Sequence, residues 1–207
     1  MHNKPANALA TTDWMTRWRY IARRVRVPLG FVAAAVYLWR LLEAAPRPAA
    51  MFASLALVVP GLWLRGYAAG YVKKNQELTQ TGPYAYTRNP LYLGSMLIAA
   101  GFAVALADLS FALLLVAGFI VIYVPVIVGE EAFLRSTFPE YTAYCRRVPR
   151  LLPRLCVATS ASAASGSSGR FSMGLYRRHR EYRSLLGVLL LYASLAAAYI
   201  AHMHLPH

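Results

Sequence analysis

Acidic residues are scarce in this chain: 8 Asp and Glu stand against 22 Lys and Arg in 207 residues, for a formal charge of +14. Charged residues of both signs reach only 14% of the sequence, whereas 58% is hydrophobic. A basic protein made for nucleic acid carries its charge on a far more polar background, so the excess points to anionic lipid headgroups and not to nucleic acid. Cysteine is nearly missing. Cys145 and Cys156 form no CxxC pair, which gives no basis for a disulfide framework or a zinc site. The polar stretches hold no Ser-His-Asp set, no Cys-His pair, no phosphate loop and no GxGxxG, so nucleophilic hydrolysis is not supported. The C-terminal HMHLPH, with His202, His204 and His207, reads as a solvated tail and not as a metal site.

What the sequence has instead is long hydrophobic runs. They cover residues 28–45, 49–71, 91–107, 109–128 and 184–202. A bilayer core of ~30 Å takes about 20 helical residues, so the fold class is all-α: a polytopic membrane protein of about five transmembrane helices. Pro28 suits a first helical turn. Arg40 and Glu43 near the far end of that run can snorkel to the surface. A cleaved signal peptide competes for this first run, since EAAPRPAA supplies small residues, but the long preceding leader argues against it. The second run holds Pro60, Gly61, Gly66 and Gly70, which signals a kink or close helix packing. It also holds Arg65, which either faces a cavity or an acidic partner or snorkels to the nearby interface. Asp108 alone separates the third and fourth runs, so they form a tight hairpin with Asp108 as N-cap. Pro125 should distort the end of the fourth run.

Four regions follow. Residues 1–27 are a basic leader, in which Asp13 can cap a short amphipathic helix presenting Trp14, Trp18 and Ile21 on one face. Residues 28–156 are the membrane core with its site. Residues 157–169 are a low-complexity linker, and residues 170–207 a basic amphipathic segment with the last span. With a cytoplasmic N-terminus, 19 of the 22 Lys and Arg fall in inside segments. That bias predicts the orientation and puts the polar stretches on one, cytoplasmic, side of what is expected to be a bacterial inner membrane.

Three polar groups then converge. TGPYAYTRNPLYLG opens the third run, Glu130 and Glu131 close the fourth, and Tyr141, Tyr144, Arg146 and Arg147 lie in the tail. Arginine offers a fork to a carboxylate, glutamate takes an amine or balances a cation, and tyrosine faces stack or hold a cation. The set suits a zwitterionic small molecule beside a lipid-accessible cavity. The bland alternative is an interfacial belt of Tyr and Arg with internal salt bridges.

GPYAYTRNPLYLG, the hairpin, and GEEAFLRSTFPEYTAYCRRVPRLLP, with LRGYAAGYVKKNQELTQ upstream, closely resemble the isoprenylcysteine carboxyl methyltransferase family and the related phospholipid methyltransferases, over about Leu64 to Pro153. The resemblance implies methyl transfer from S-adenosylmethionine to a lipophilic or prenylated substrate that enters from the bilayer. It implies a cofactor site of Tyr86, Arg88, Asn89, Pro90, Tyr92, Gly94, Glu130, Glu131, Tyr141 and Tyr144. Arg146, with Arg135 beside it in the reading, would orient a carboxylate substrate, and Glu131 or Tyr92 would take the proton of an amine. Asn89 stands where eukaryotic members carry His; an amide hydrogen-bonds but is no imidazole base. Two other classes fit the bulk features: a nicotinamide-dependent membrane reductase, and a non-catalytic lipid-binding protein.

Overall fold

The computed structural model describes residues 24, 28–43, 46–73, 77–154 and 169–204. The leader with its Trp14–Trp18 face, most of the 157–169 linker, Cys156 and His207 lie outside the described residues. The ordered elements are α1 (28–43), α2 (Pro48–Ala69), a 3₁₀ turn (Gly82–Ala85), α3 (Pro90–Leu106), α4 (Leu109–Gly118), a π-helical segment (Phe119–Tyr123), α5 (Val124–Thr137), α6 (Tyr141–Arg147), α7 (Met173–Arg178) and α8 (Tyr182–His204). Among the described residues there is no strand.

Among the described residues, three helices are long and apolar enough to cross a bilayer: Pro48–Ala69, the continuous Leu109–Thr137 and Tyr182–His204. The apolar α3 is shorter, at 17 residues. Large apolar side chains stand exposed on these helices and on α1, among them Phe31, Trp39, Phe52, Trp63, Leu109, Ile120 and Leu190. Contiguous apolar faces of this extent mark a surface solvated by lipid and not by water.

Helices α2 and α3 pack closely through glycine. A Cβ on Gly61 would meet the Gly94 carbonyl oxygen at 2.8 Å, and one on Gly94 would meet the Gly61 carbonyl at 2.7 Å. Backbone cannot retreat as a flexible side chain does, so small residues at these crossings set the distance between the helices. Behind this contact, Tyr37 packs edge-on against Phe102 at 5.4 Å, and Phe102 against Tyr192 at 5.3 Å. Tyr192 and Ser54 share a hydroxyl hydrogen bond of 2.5 Å, which ties α8 to α2. The aromatic rings therefore hold α1, α3 and α8 together.

Asp108 turns the hairpin as expected, accepting from the Phe111 amide at 3.1 Å. Arg40 does not simply reach for solvent: its Nε lies 3.3 Å from Asp108, joining α1 to the hairpin turn. The fourth helix runs further than its apolar stretch, to Thr137, because nothing in Gly129-Glu130-Glu131 stops a helix already propagating. The Glu pair is thus held inside α5 and not in a loop beyond it. Pro125 lacks the amide that would bond the carbonyl four residues back, and the helix widens to π geometry over Phe119–Tyr123 just before it.

Replacing Gly61 with Val should force α2 from α3 and cost about 1–3 kcal/mol. A lowered unfolding midpoint in mixed detergent micelles checks this; an unchanged midpoint would show that the helices are not in contact there.

Candidate active site

Two polar stretches far apart in sequence are laced together below α3. Gly82 adopts φ +58° beneath the Tyr71 ring, where a Cβ would meet Tyr71 Cε1 at 2.6 Å, so the turn requires glycine. The chain then runs beside residues 148–154. The Arg88 amide donates to the Pro149 carbonyl at 2.9 Å, and the Arg154 amide to the Tyr86 carbonyl at 3.0 Å. Thr87 Oγ1 donates to the Leu151 carbonyl at 2.9 Å, and Asn89 Nδ2 to the Arg150 carbonyl at 2.9 Å. The Tyr144 hydroxyl donates to the Tyr84 carbonyl at 2.8 Å. Pro90 then opens α3 at a position that needs no amide donor.

At the centre stands Glu131, with a side chain only 7% exposed. Arg150 grips it with two bonds, Nε to Oε1 at 3.0 Å and Nη2 to Oε2 at 2.7 Å. Arg88 Nη1 lies 3.2 Å from Oε1 on the same carboxylate and 2.9 Å from the free thiol of Cys145. Hydrogen bonding to Glu131 raises the pKa of the Arg150 guanidinium further. Two arginines to one carboxylate leave a positive excess. The Arg88 Nε is buried and has no hydrogen-bond partner among the described residues. A buried unpartnered donor beside spare positive charge is a fit for an anionic ligand group.

Glu130, next in the chain, points elsewhere. Its Oε1 accepts the Tyr92 hydroxyl at 3.0 Å. Tyr92 packs edge-on against Tyr123, from the π segment, at 5.6 Å. Tyr123 and Ser95 stand at one end of an apolar cavity of about 960 Å³ between α1, α3 and the hairpin, lined by Val32, Ala99, Ala103 and Phe119 among others. On the loop side, burial pushes the phenols of Tyr84, Tyr141 and Tyr144 up; the Glu130 charge adds to this at Tyr84, and the Glu131 charge at Tyr141, where Arg88 opposes it. These three rings stay neutral.

The structure therefore brings Arg88, Glu131, Tyr141 and Tyr144 into one cluster, with Asn89 and Pro90 at its edge and Tyr92 and Glu130 beside it. Tyr86 is exposed and contributes backbone to the pairing with Arg154. Gly94 is buried in the contact with Gly61 and Arg65 and lies away from the cluster. Arg146 and Arg135 are exposed and outside it. Arg150 is the residue that sequence reasoning missed. It is one of several arginines in CRRVPRLLPR, and only the register of the 86–88 and 149–154 pairing selects it. Glu181 was missed too; it binds Arg65 Nη2 at 2.9 Å. Among the described residues no three His, Cys, Asp or Glu side chains group for a metal ion.

Residues 50–141 match the phospholipid methyltransferase family. The match runs from α2 to the start of α6, through the 86–94 stretch and both glutamates, and bears out the resemblance drawn from the sequence. The nickel-cobalt-cadmium resistance protein NccN of Alcaligenes xylosoxydans xylosoxydans is similar, 34% identical over 114 residues, 55% of this chain and 53% of that protein. The cobalt-zinc-cadmium resistance protein CzcN of Cupriavidus metallidurans is 38% identical over 94 residues, 45% of this chain and 43% of that protein. The chain thus spans about half the length of the curated relatives it matches. No solved structure matches it.

Removing Glu131 leaves the shielded Arg88 guanidinium without its counter-ion, beside the half-exposed Arg150. Glu131→Ala should lower stability by about 3 kcal/mol, and Glu131→Gln by less. Unfolding in mixed micelles measures both; a wild-type midpoint for the Ala variant would show that the cluster carries no structural load.

Proposed function

We propose that this chain is an integral-membrane methyltransferase that transfers the methyl group of S-adenosylmethionine to a lipophilic acceptor. The observation that carries the reading is the Arg88–Glu131–Arg150 cluster with its unpartnered Arg88 Nε, of which Arg88 and Glu131 lie inside the stretch that matches the methyltransferase family and Arg150 just beyond it. Five spans, a cytoplasmic N-terminus and a site on the cytoplasmic face of a bacterial inner membrane complete the proposal, with the basic segments against anionic headgroups.

Arg88 and Arg150 hold the cofactor carboxylate, and Tyr141 and Tyr144 wall the site with neutral rings. When bound, the cofactor supplies a methyl group on a sulfonium, an electrophile that needs placement and charge balance and no covalent nucleophile. The cavity beside Tyr123 takes the hydrocarbon part of the acceptor. Of the two acceptors the family suggests, an isoprenylcysteine-type carboxylate and a lipid amine, the amine is favoured. Glu130, linked through Tyr92 to the cavity-lining Tyr123, is bonded by a neutral hydroxyl, while the ion pairs of Arg88 and Arg150 go to Glu131. Both oxygens of Glu131 are taken up by guanidinium groups, so Glu130 and not Glu131 is the group placed to accept the amine proton before methyl transfer.

Calorimetry on the purified protein tests this. Wild type should bind S-adenosylmethionine, and Arg88→Ala, while still inserting and folding, should bind it about tenfold to a hundredfold more weakly, as expected for a lost charge-assisted hydrogen bond. Wild-type affinity in Arg88→Ala sinks the assignment of the clamp. Labelled methyl should appear on long-chain amines in preference to prenylated carboxylates, and Glu130→Gln should abolish that labelling while retaining cofactor.

A further inference from the structure

Arg65 lies within α2, and every nitrogen of its guanidinium has a partner. Nε donates to Glu181 at 3.2 Å, and Nη2 to both Glu181 oxygens at 2.9 and 3.1 Å. Nη1 turns the other way, to Ser95 Oγ at 2.5 Å and the Leu91 carbonyl at 3.4 Å. Ser95 Oγ itself donates to the Leu91 carbonyl at 3.0 Å. One guanidinium thus joins α2, the first turn of α3 and the entrance of α8. Both ionic side chains are largely shielded, 22% exposed for Arg65 and 12% for Glu181.

Leu91 and Ser95 bracket Tyr92, and Gly94 in the same turn rests on the Arg65 stem, where a Cβ would meet Cγ at 2.6 Å. Tyr92 in turn holds Glu130, and Ser95 lines the cavity end. A line of contacts therefore runs from Glu181 through Arg65 and the first turn of α3 to the groups placed to meet the acceptor. Its far end comes from outside the family-matched stretch, which stops at residue 141. The arm that delivers Glu181 is docked by contacts of its own. The Ser172 amide donates to the Gly70 carbonyl at 2.9 Å, His179 Nδ1 lies 3.1 Å from the Ala69 carbonyl, and Phe171 stacks on Tyr67 at 6.1 Å. The arm so covers the carbonyl end of α2, whose last turn leaves those oxygens without helical donors.

We propose that Arg65 and Glu181 are a positioning pair for the acceptor: the C-terminal arm fixes the first turn of α3, and through it Tyr92 and Glu130. This rests on the methyltransferase reading above. It makes the arm part of the working enzyme. Because the pair touches neither Arg88 nor Arg150, its loss acts on transfer and not on cofactor binding.

The full-length protein in nanodiscs, with Glu181→Gln, Glu181→Asp and Ser95→Ala, tests it by two independent readouts. Glu181→Gln and Ser95→Ala should each lower the transfer rate by at least about tenfold while S-adenosylmethionine affinity stays within about twofold, and Glu181→Asp should recover most of the rate. A fluorotyrosine placed at position 92 should change its ¹⁹F shift in cofactor-free Glu181→Gln and keep it in a control variant of the exposed Glu140. Wild-type turnover in Glu181→Gln, equal losses of rate and affinity, or an unmoved Tyr92 resonance overturns the pair's role. A moved resonance in a protein that binds no S-adenosylmethionine supports the positioning and overturns the methyltransferase reading instead.

Discussion

The Glu131 carboxylate is the interaction on which the polar half of the molecule depends. It lies at the end of an apolar hairpin, where an ion without partners costs several kcal/mol. Arg88 comes to it from the start of α3, and Arg150 from a loop that has no regular structure of its own. That loop is held because its carbonyls find donors in Arg88, Thr87 and Asn89. Take the charge at Glu131 away and the loop has no electrostatic reason to lie across the helix entrance. Local backbone pairing and the buried ion pair are therefore one assembly, each satisfying groups that the other leaves short.

Two adjacent glutamates divide the labour because a helix separates neighbours in direction. Glu131 turns inward to the arginines, whereas Glu130 turns to Tyr92 and the cavity. One side of the helix thus offers net positive charge and the other net negative charge. The two carboxylates leave the backbone about 100° apart, which keeps the cationic and the anionic parts of the cluster distinct.

Much of this was legible in the sequence, and the illegible parts share a cause. Hydrophobic runs located the helices, Asp108 located the hairpin, and the return of the hairpin put Glu130 and Glu131 beside Arg88 and Tyr92. Period and capping are local signals, and they report local structure. Arg146 and Arg150 stand in one basic run with nothing local to tell them apart, and it is the long-range backbone pairing with residues 86–88 that brings Arg150 to Glu131. The resemblance puts Gly94 in the cofactor site, and nothing local distinguishes a glycine that admits a ligand from one that admits another helix, as Gly94 does against Gly61. Arg65 was known to need either the surface or an acid. Its partner lies 116 positions away, past a linker with no pattern to carry the information.

The widened turn at Phe119–Tyr123 gives the Glu pair its bearing. A residue fitted into five-residue spacing sets everything after it back by about 100° relative to an unbroken α-helix. Had the helix stayed regular through Pro125, Glu130 would take Glu131's bearing toward Arg88, and Glu131 itself would be turned by about 100° from the arginines. The aim of the site is thus stored upstream, in five apolar residues that carry no charge at all. Such a helix tolerates changes of side chain there far better than an added residue elsewhere in the span, since an insertion would leave every polar group present and turned by about 100°.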